Sequence, residues 1–213
     1  MKKILLLLSI IFCLYSCSNE TKKLPILGEK STKDTLINGK NITDTVYQTI
    51  APFRYYNQDS VLISNKDYDG SIYVADFFFT TCNSICPIMH RNLLQVYVKY
   101  KGDKRIKFLS HSIDAKYDLP SRLKRYADKL GITSPQWNLI HGSRDSIYDI
   151  SAKNYLVAAY ADNAAPQGLV HQGWFVLIDK EKRIRGAYDG TKMDQVEQLM
   201  KDIDLLLQEY EQK

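Results

Sequence analysis

Ser71-Ile72-Tyr73-Val74-Ala75-Asp76-Phe77-Phe78-Phe79-Thr80-Thr81-Cys82-Asn83-Ser84-Ile85-Cys86-Pro87 is the stretch around which the rest of the chain organises. Its first nine residues form a nearly continuous β-branched and aromatic run, the pattern of a central strand covered on both faces. From Pro87 to Tyr100 the apolar residues Ile88, Leu93, Leu94, Val96 and Tyr97 recur at helical spacing rather than alternating. The two cysteines therefore fall where a strand gives way to a helix. Pro87 suits that place, because the first helical turn needs no N–H from it. In open α/β sheets, ligand-binding groups collect at the carboxyl ends of the strands.

Three intervening residues set Cys82 and Cys86 at i and i+4. On a helical turn this spacing puts the Cβ atoms roughly 5–6 Å apart, beyond the ~3.5–4.5 Å that a disulfide prefers. It suits two thiolates meeting on one metal ion, and it predicts that bridging the pair distorts the first helical turn. Free N–H groups at the helix start favour the thiolate form. The plain alternative is a pair of buried cysteines that happen to be neighbours.

Outward from this motif the pattern alternates. Phe53–Tyr56 and Val61–Ile63 flank a polar Asn57-Gln58-Asp59 turn and predict a hairpin. Ile106–Ile113 predicts a second central strand and Ser121–Leu130 a helix closed by Gly131. Trp137–Ile140 reads as a strand, then Ser143–Lys153 as a helix with Ser143 as its N-cap. Gly173–Asp179 and Ile184–Tyr188 predict another hairpin, and Lys192–Gln208 a last amphipathic helix. A hairpin, strand-helix-strand-helix, a hairpin and a helix is the order of an elaborated thioredoxin-like α/β fold, with a central mixed sheet flanked by helices. The domain is expected over residues 50–208, with 209–213 as a tail, and no internal repeat is visible.

The N-terminus carries a different message. Lys2-Lys3 and the uncharged run Ile4–Leu14 have signal-peptide form, and the run is shorter than the ~20 residues a spanning helix needs. It ends Leu14-Tyr15-Ser16-Cys17, which resembles a bacterial lipoprotein box, so residues 1–16 are expected to be removed and Cys17 acylated. An ordinary secretory signal followed by an incidental cysteine is the alternative. Residues 17–49 are rich in Lys, Thr, Asn and Asp and read as a tether, with order expected around Leu24-Pro25-Ile26-Leu27-Gly28. Without Cys13 and Cys17, only Cys82 and Cys86 remain. Two thiols this close in an oxidising compartment point to chemistry rather than to a staple. The net charge of +5 falls to 27 basic against 24 acidic residues once Lys2 and Lys3 are gone. That balance, with no long basic cluster, argues against a nucleic-acid partner.

Four histidines, His90, His111, His141 and His171, could complete a metal site. His171 follows the irregular stretch Ala161–Leu169 and precedes a buried strand, a place where a histidine is ordinarily a hydrogen-bonded loop residue. Met89 is expected in the core and His90 on the helix surface. His111 lies near the end of a central strand, where an indirect influence on a metal is conceivable. His141 follows another strand with no partner motif.

The run Ala75–Pro87, with Thr ahead of Cys-x-x-x-Cys-Pro, resembles the copper-site segment of the SCO/SenC family. Ser112-Ile113-Asp114 resembles that family's second strand and the Asp after it, and Leu169-Val170-His171 falls where the family keeps its metal histidine. The resemblance covers the chain from about Tyr47 to the last helix. It implies a thioredoxin-like fold with copper, Cu(I) or Cu(II), on Cys82, Cys86 and His171. Asn83 stands where the family commonly has Pro, and Gln172 where a small or hydroxyl residue is common. Two thiolates and an imidazole are themselves a donor set that suits copper.

The resemblance implies delivery of copper to the binuclear centre in subunit II of cytochrome c oxidase, or to another copper-accepting membrane protein; with the Leu14–Cys17 box, a monomeric domain lipid-anchored to a bacterial membrane outside the cytoplasm is expected. It equally allows a thiol–disulfide oxidoreductase, with Cys82 and Cys86 catalytic and forming a redox disulfide. General thioredoxin-like reductases use two intervening residues, not three, and a peroxiredoxin pattern would need Pro and Thr where Ala75 and Phe79 stand. Asp114 is left with two roles, orienting the site or capping the turn that follows.

Overall fold

The computed structural model describes residues 23–133 and 135–211; the leader, Cys13 and the expected lipidation site Cys17 lie outside them. Among the described residues eleven strands and four α-helices are formed, and seven of the strands make one sheet. Strands β1 (Lys30–Ile37) and β2 (Lys40–Tyr47) make a separate hairpin. The main sheet takes β3 (Arg54–Asn57), β4 (Leu62–Ser64), β5 (Ile72–Phe78), β6 (Ile106–Ser112), β7 (Trp137–His141), β10 (Trp174–Ile178) and β11 (Ile184–Asp189). Its order is β11-β10-β5-β6-β7-β3-β4. The central trio β5-β6-β7 is parallel, and an antiparallel hairpin closes each side.

Every residue of β5 is buried, as its unbroken apolar run requires of a strand with both faces covered. One face meets α1 (Cys86–Lys99) and α2 (Pro120–Leu130): Phe78 packs on His90 and Tyr126. The other face carries an aromatic cluster in which Phe77, His111, Tyr55, Phe53 and Tyr155 touch ring to ring. Tyr155 reaches it from a π turn, Ser151–Tyr155, that follows α3 (Arg144–Ile150). The final helix α4 (Met193–Glu211) lies beside α1, where Tyr100 donates to Met200 O at 2.8 Å and Lys99 pairs with Asp204 at 2.7 Å.

The predicted thioredoxin-like α/β architecture is the one observed, with four local differences. The stretch read as tether contains the β1–β2 hairpin. Its strands are almost wholly exposed, so no apolar alternation marks them, but Asn38-Gly39, at φ 51° and 76°, is the two-residue turn that favours Asn-Gly. The Ser143–Lys153 helix stops as an α-helix at Ile150; Ser143 occupies the N-cap without a side-chain bond, and Leu156, at φ 58°, ends the π turn. The last helix continues to Glu211, because Glu209 holds Arg185 and Leu24 N–H while Glu211 pairs with Arg105. The stretch Ala161–Leu169 is bracketed by two short strands, β8 (Ala159–Ala161) and β9 (Leu169–His171), paired with each other.

Around Leu24–Gly28 the expected order is present. Arg185, nearly buried, donates to the carbonyls of Leu24 and Pro25 and pairs with Asp179 and Glu209, while Leu27 bridges to Ile184.

Candidate metal centre

β5 ends at Phe78 and the chain turns at Thr80-Thr81, with Cys82 N–H donating to Phe79 O at 3.1 Å. Cys86 is the first residue of α1 and Pro87 the second, where the missing N–H is harmless. Cys82 therefore precedes the helix in a loop, and the two cysteines are not stacked on one helical turn. The expectation that a bridge must distort that turn loses its basis, because a loop residue is free of the helical register.

Cys86 is fully buried and Cys82 is 8% exposed, and both are free thiols. His171 closes β9 and brings its Nε2 to 3.1 Å from Cys86 Sγ and 4.0 Å from Cys82 Sγ. These three donor atoms all lie within 4.8 Å of one another. The other ring nitrogen, Nδ1, is 3.3 Å from Gln172 O. A carbonyl only accepts, so Nδ1 carries the proton and the Nε2 lone pair faces the sulfurs. Gln172 also ties β9 to its neighbour, exchanging bonds with the Ala158 backbone through its own N–H and Oε1. The next residue, Gly173, is close to α1: a methyl there would sit 3.7 Å from both Ile85 Cδ1 and Met89 Sδ.

The thiols are unequal. Hydrogen bonding from the Cys86 thiol pulls the Cys82 thiol down to about 3, against burial, with Ser84 and the Cys86 backbone N–H adding to the pull. Cys86 is driven well up by its bond to Cys82 and by burial. Together they hold one thiolate and one proton, a soft and partly charged donor set that a copper ion fits.

The other histidines fall elsewhere. His90 is fully buried, not on the helix surface. Its Nε2–H donates to Asp76 Oδ2 at 3.0 Å and its Nδ1 accepts from Tyr126 O–H at 2.9 Å, so both polar atoms are satisfied and burial costs little. Met89 is in the core as expected. His111 lies on the far face of the sheet, stacked on Phe77 at 4.7 Å, with burial pulling it down to about 4. Its ring neighbours are Phe53, Tyr55, Phe77 and Tyr155, not the sulfurs. His141 Nδ1 has no partner among the described residues. Asp114 caps its turn, with Oδ1 accepting from the N–H groups of Lys116 and Tyr117.

Two buried carboxylates near the motif escape a reading by pattern. Asp76 accepts from His90 and from Ser110 Oγ at 2.5 Å. Asp118 accepts from Thr80 and Ser112. Asp76 did carry a signal: a charge inside an otherwise apolar strand must find buried partners.

A thioredoxin-like sheet with two sulfurs and an oriented imidazole at the carboxyl end of its central strand defines a metal-binding member of the thioredoxin-like class. The family description SCO1/SenC matches residues 43–208, most of the sequence, and the chain belongs to that family. Among solved relatives, a SCO1/SenC family lipoprotein from Bacillus anthracis str. Ames is 29% identical. It covers 75% of this chain and 95% of its own, with a TM-score of 0.69. BsSco is 25% identical over 74% of this chain and 92% of its own, with a TM-score of 0.65; it is a member of the Sco family of cytochrome c oxidase assembly proteins in which a disulfide switch was identified. Bradyrhizobium japonicum ScoI, solved with copper bound, shares the fold at a TM-score of 0.62 and 19% identity, over 74% of this chain and 99% of its own.

Proposed function

We propose that this protein carries copper on Cys82, Cys86 and His171 and passes it to the binuclear copper centre in subunit II of cytochrome c oxidase. The observation that carries the reading is the convergence of two buried sulfurs and one tautomer-fixed nitrogen within 4.8 Å. Two thiolates and an imidazole suit copper, and three donors suit Cu(I). Structural zinc takes four protein ligands, and no fourth His, Cys, Asp or Glu groups with this trio among the described residues. Membership of a family with an oxidase assembly protein supports the recipient.

The reading places the domain outside the cytoplasm of a bacterial cell, acylated on Cys17. The lipoprotein relative supports this, and an acyl mass on Cys17 in the mature protein is its direct check.

A second reading, reduction of the recipient's cysteines, is favoured by the thiolate of Cys82 beside the protonated Cys86. In it Cys82 attacks one sulfur of a partner disulfide and releases the other as a thiolate. Cys86 then loses its proton and attacks Cys82, freeing the second partner thiol and leaving a Cys82–Cys86 disulfide. Two electrons pass to the partner.

One experiment separates the two. Copper-loaded full-length protein is mixed with reduced subunit II soluble domain, and metal-free protein with the oxidised form. Appearance of the binuclear centre's absorption in the first mixture is expected. Thiol release in the second, with no copper passed in the first, would overturn the carrier reading.

A further inference from the structure

Asp118 is fully buried, sits just ahead of α2, and among the described residues its side chain is hydrogen-bonded to Thr80 and Ser112 rather than to Cys82, Cys86 or His171. Its carboxylate instead gathers three donors. Oδ2 accepts Thr80 N–H at 2.8 Å and Ser112 Oγ–H at 2.6 Å, and Oδ1 accepts Thr80 Oγ–H. Thr80 opens the turn that follows β5 into the metal loop, two positions before Cys82. Ser112 is the last residue of β6, paired in register with Phe78. The carboxylate thus locks the start of the loop to the ends of the two central strands. A buried carboxylate taking three charge-assisted bonds is among the stronger polar restraints a protein offers.

The Cys86 side of the site has a separate brace, in which His90, one turn further along α1, is held by Asp76 and Tyr126. Cys82 has no helix of its own and depends on the loop. We propose that Asp118 is a positioning residue that fixes the Cys82 sulfur for metal capture by clamping both the backbone and the hydroxyl of Thr80. The inference rests on the copper reading only for its spectroscopic arm; thiol reactivity of the metal-free protein tests it independently.

The chemistry of the clamp dictates a graded series. In Asp118→Asn the amide oxygen takes over the two bonds of Oδ2, and the amide N–H donates to the Thr80 hydroxyl, which also accepts. This variant is expected to match the parent protein. Thr80→Val removes the hydroxyl bond and keeps the backbone bond, and Asp118→Ala removes all three. The measurement is the alkylation rate of each cysteine in reduced, metal-free protein, followed by mass spectrometry, together with Cu(II) affinity and thiolate-to-copper absorption.

For Asp118→Ala the Cys82 rate should change about tenfold, with Cys86 unchanged, while copper affinity falls by roughly 10–100-fold, as for other residues that orient a metal ligand. Thr80→Val should fall between. Altered alkylation with unaltered copper binding would leave the clamp standing and count against the copper reading. Unchanged Cys82 reactivity in folded Asp118→Ala would overturn the clamp, as would an equal change at both cysteines. If Asp118→Ala does not fold, Thr80→Val decides: parental reactivity at Cys82 would overturn the proposal.

Discussion

The two arms of the metal site are built to different standards. The sulfur arm, residues 80–87, rises directly from β5, whose every residue is buried, and runs into a 14-residue helix packed on the sheet. The histidine arm, residues 159–171, is a two-stranded ribbon with three residues a side, separate from the main sheet. His171 and its β9 neighbours are only half-buried. A lone two-stranded ribbon is marginally stable by itself. The Gln172–Ala158 bonds extend its own ladder, and its contacts with the core are the close approach of Gly173 to α1 and the His171 ring against Phe79. The sulfurs belong to the core, whereas the imidazole stands on a separate ribbon. In the proposed copper carrier such a division would let one donor withdraw without unfolding the segment that holds the other two.

Removing a sulfur strikes the fixed arm and should have the largest effect. Cys82→Ser or Cys86→Ser leaves one thiolate, and both copper binding and visible thiolate-to-copper absorption should be nearly abolished in a titration. Retention of either by one of these variants would break the distinction between the arms. His171→Ala strikes the ribbon arm and should act selectively. Two soft sulfurs remain, so Cu(I) binding should survive in part while Cu(II), which favours nitrogen more, is lost to a greater degree. Parallel titrations with the two oxidation states measure this directly, and equal losses would count against it.

The smallest effect concerns the core beneath the fixed arm. Burial holds His111 down to about 4, against about 6.5 in an unfolded chain. Above 6.5 the ring is neutral in both states and contributes no pH dependence. Between 6.5 and 4 the unfolded chain binds the extra proton, so stability falls as pH falls, by up to about 3 kcal/mol. Denaturant melts from pH 7 to 4 should show this loss, and His111→Phe should remove its share of the slope. An unchanged slope in that variant would assign the acid sensitivity to other groups.

The same contrast between arms governed what could be read from the sequence. The Ser71–Pro87 run announced strand, switch and helix because both neighbours are long and strongly patterned. His171 had no such frame. Three-residue strands are too short for any periodicity to register, and only the family resemblance pointed to this histidine. His90 was misplaced for a related reason. Helical spacing places it one turn from Cys86, but burial was decided by Asp76 and Tyr126, one of which lies on another strand and one on another helix. The i,i+4 argument for the cysteines failed because it assumed that the helix had already begun at Cys82. The exposed β1–β2 hairpin had no hydrophobic signature, and only its Asn38-Gly39 turn gave it away.

The fastening of Leu24 and Pro25 by Arg185 and Glu209 has a mechanical consequence. Ile184 is level with Ile178 and, through it, with Tyr73, so the fastening lies at the pole of the sheet where β5 begins, opposite the sulfurs. In a chain anchored ahead of Lys23, as proposed, pull would be taken up there, by hydrogen bonds to Arg185 on β11 and Glu209 on α4, and would not reach the loop that carries Cys82.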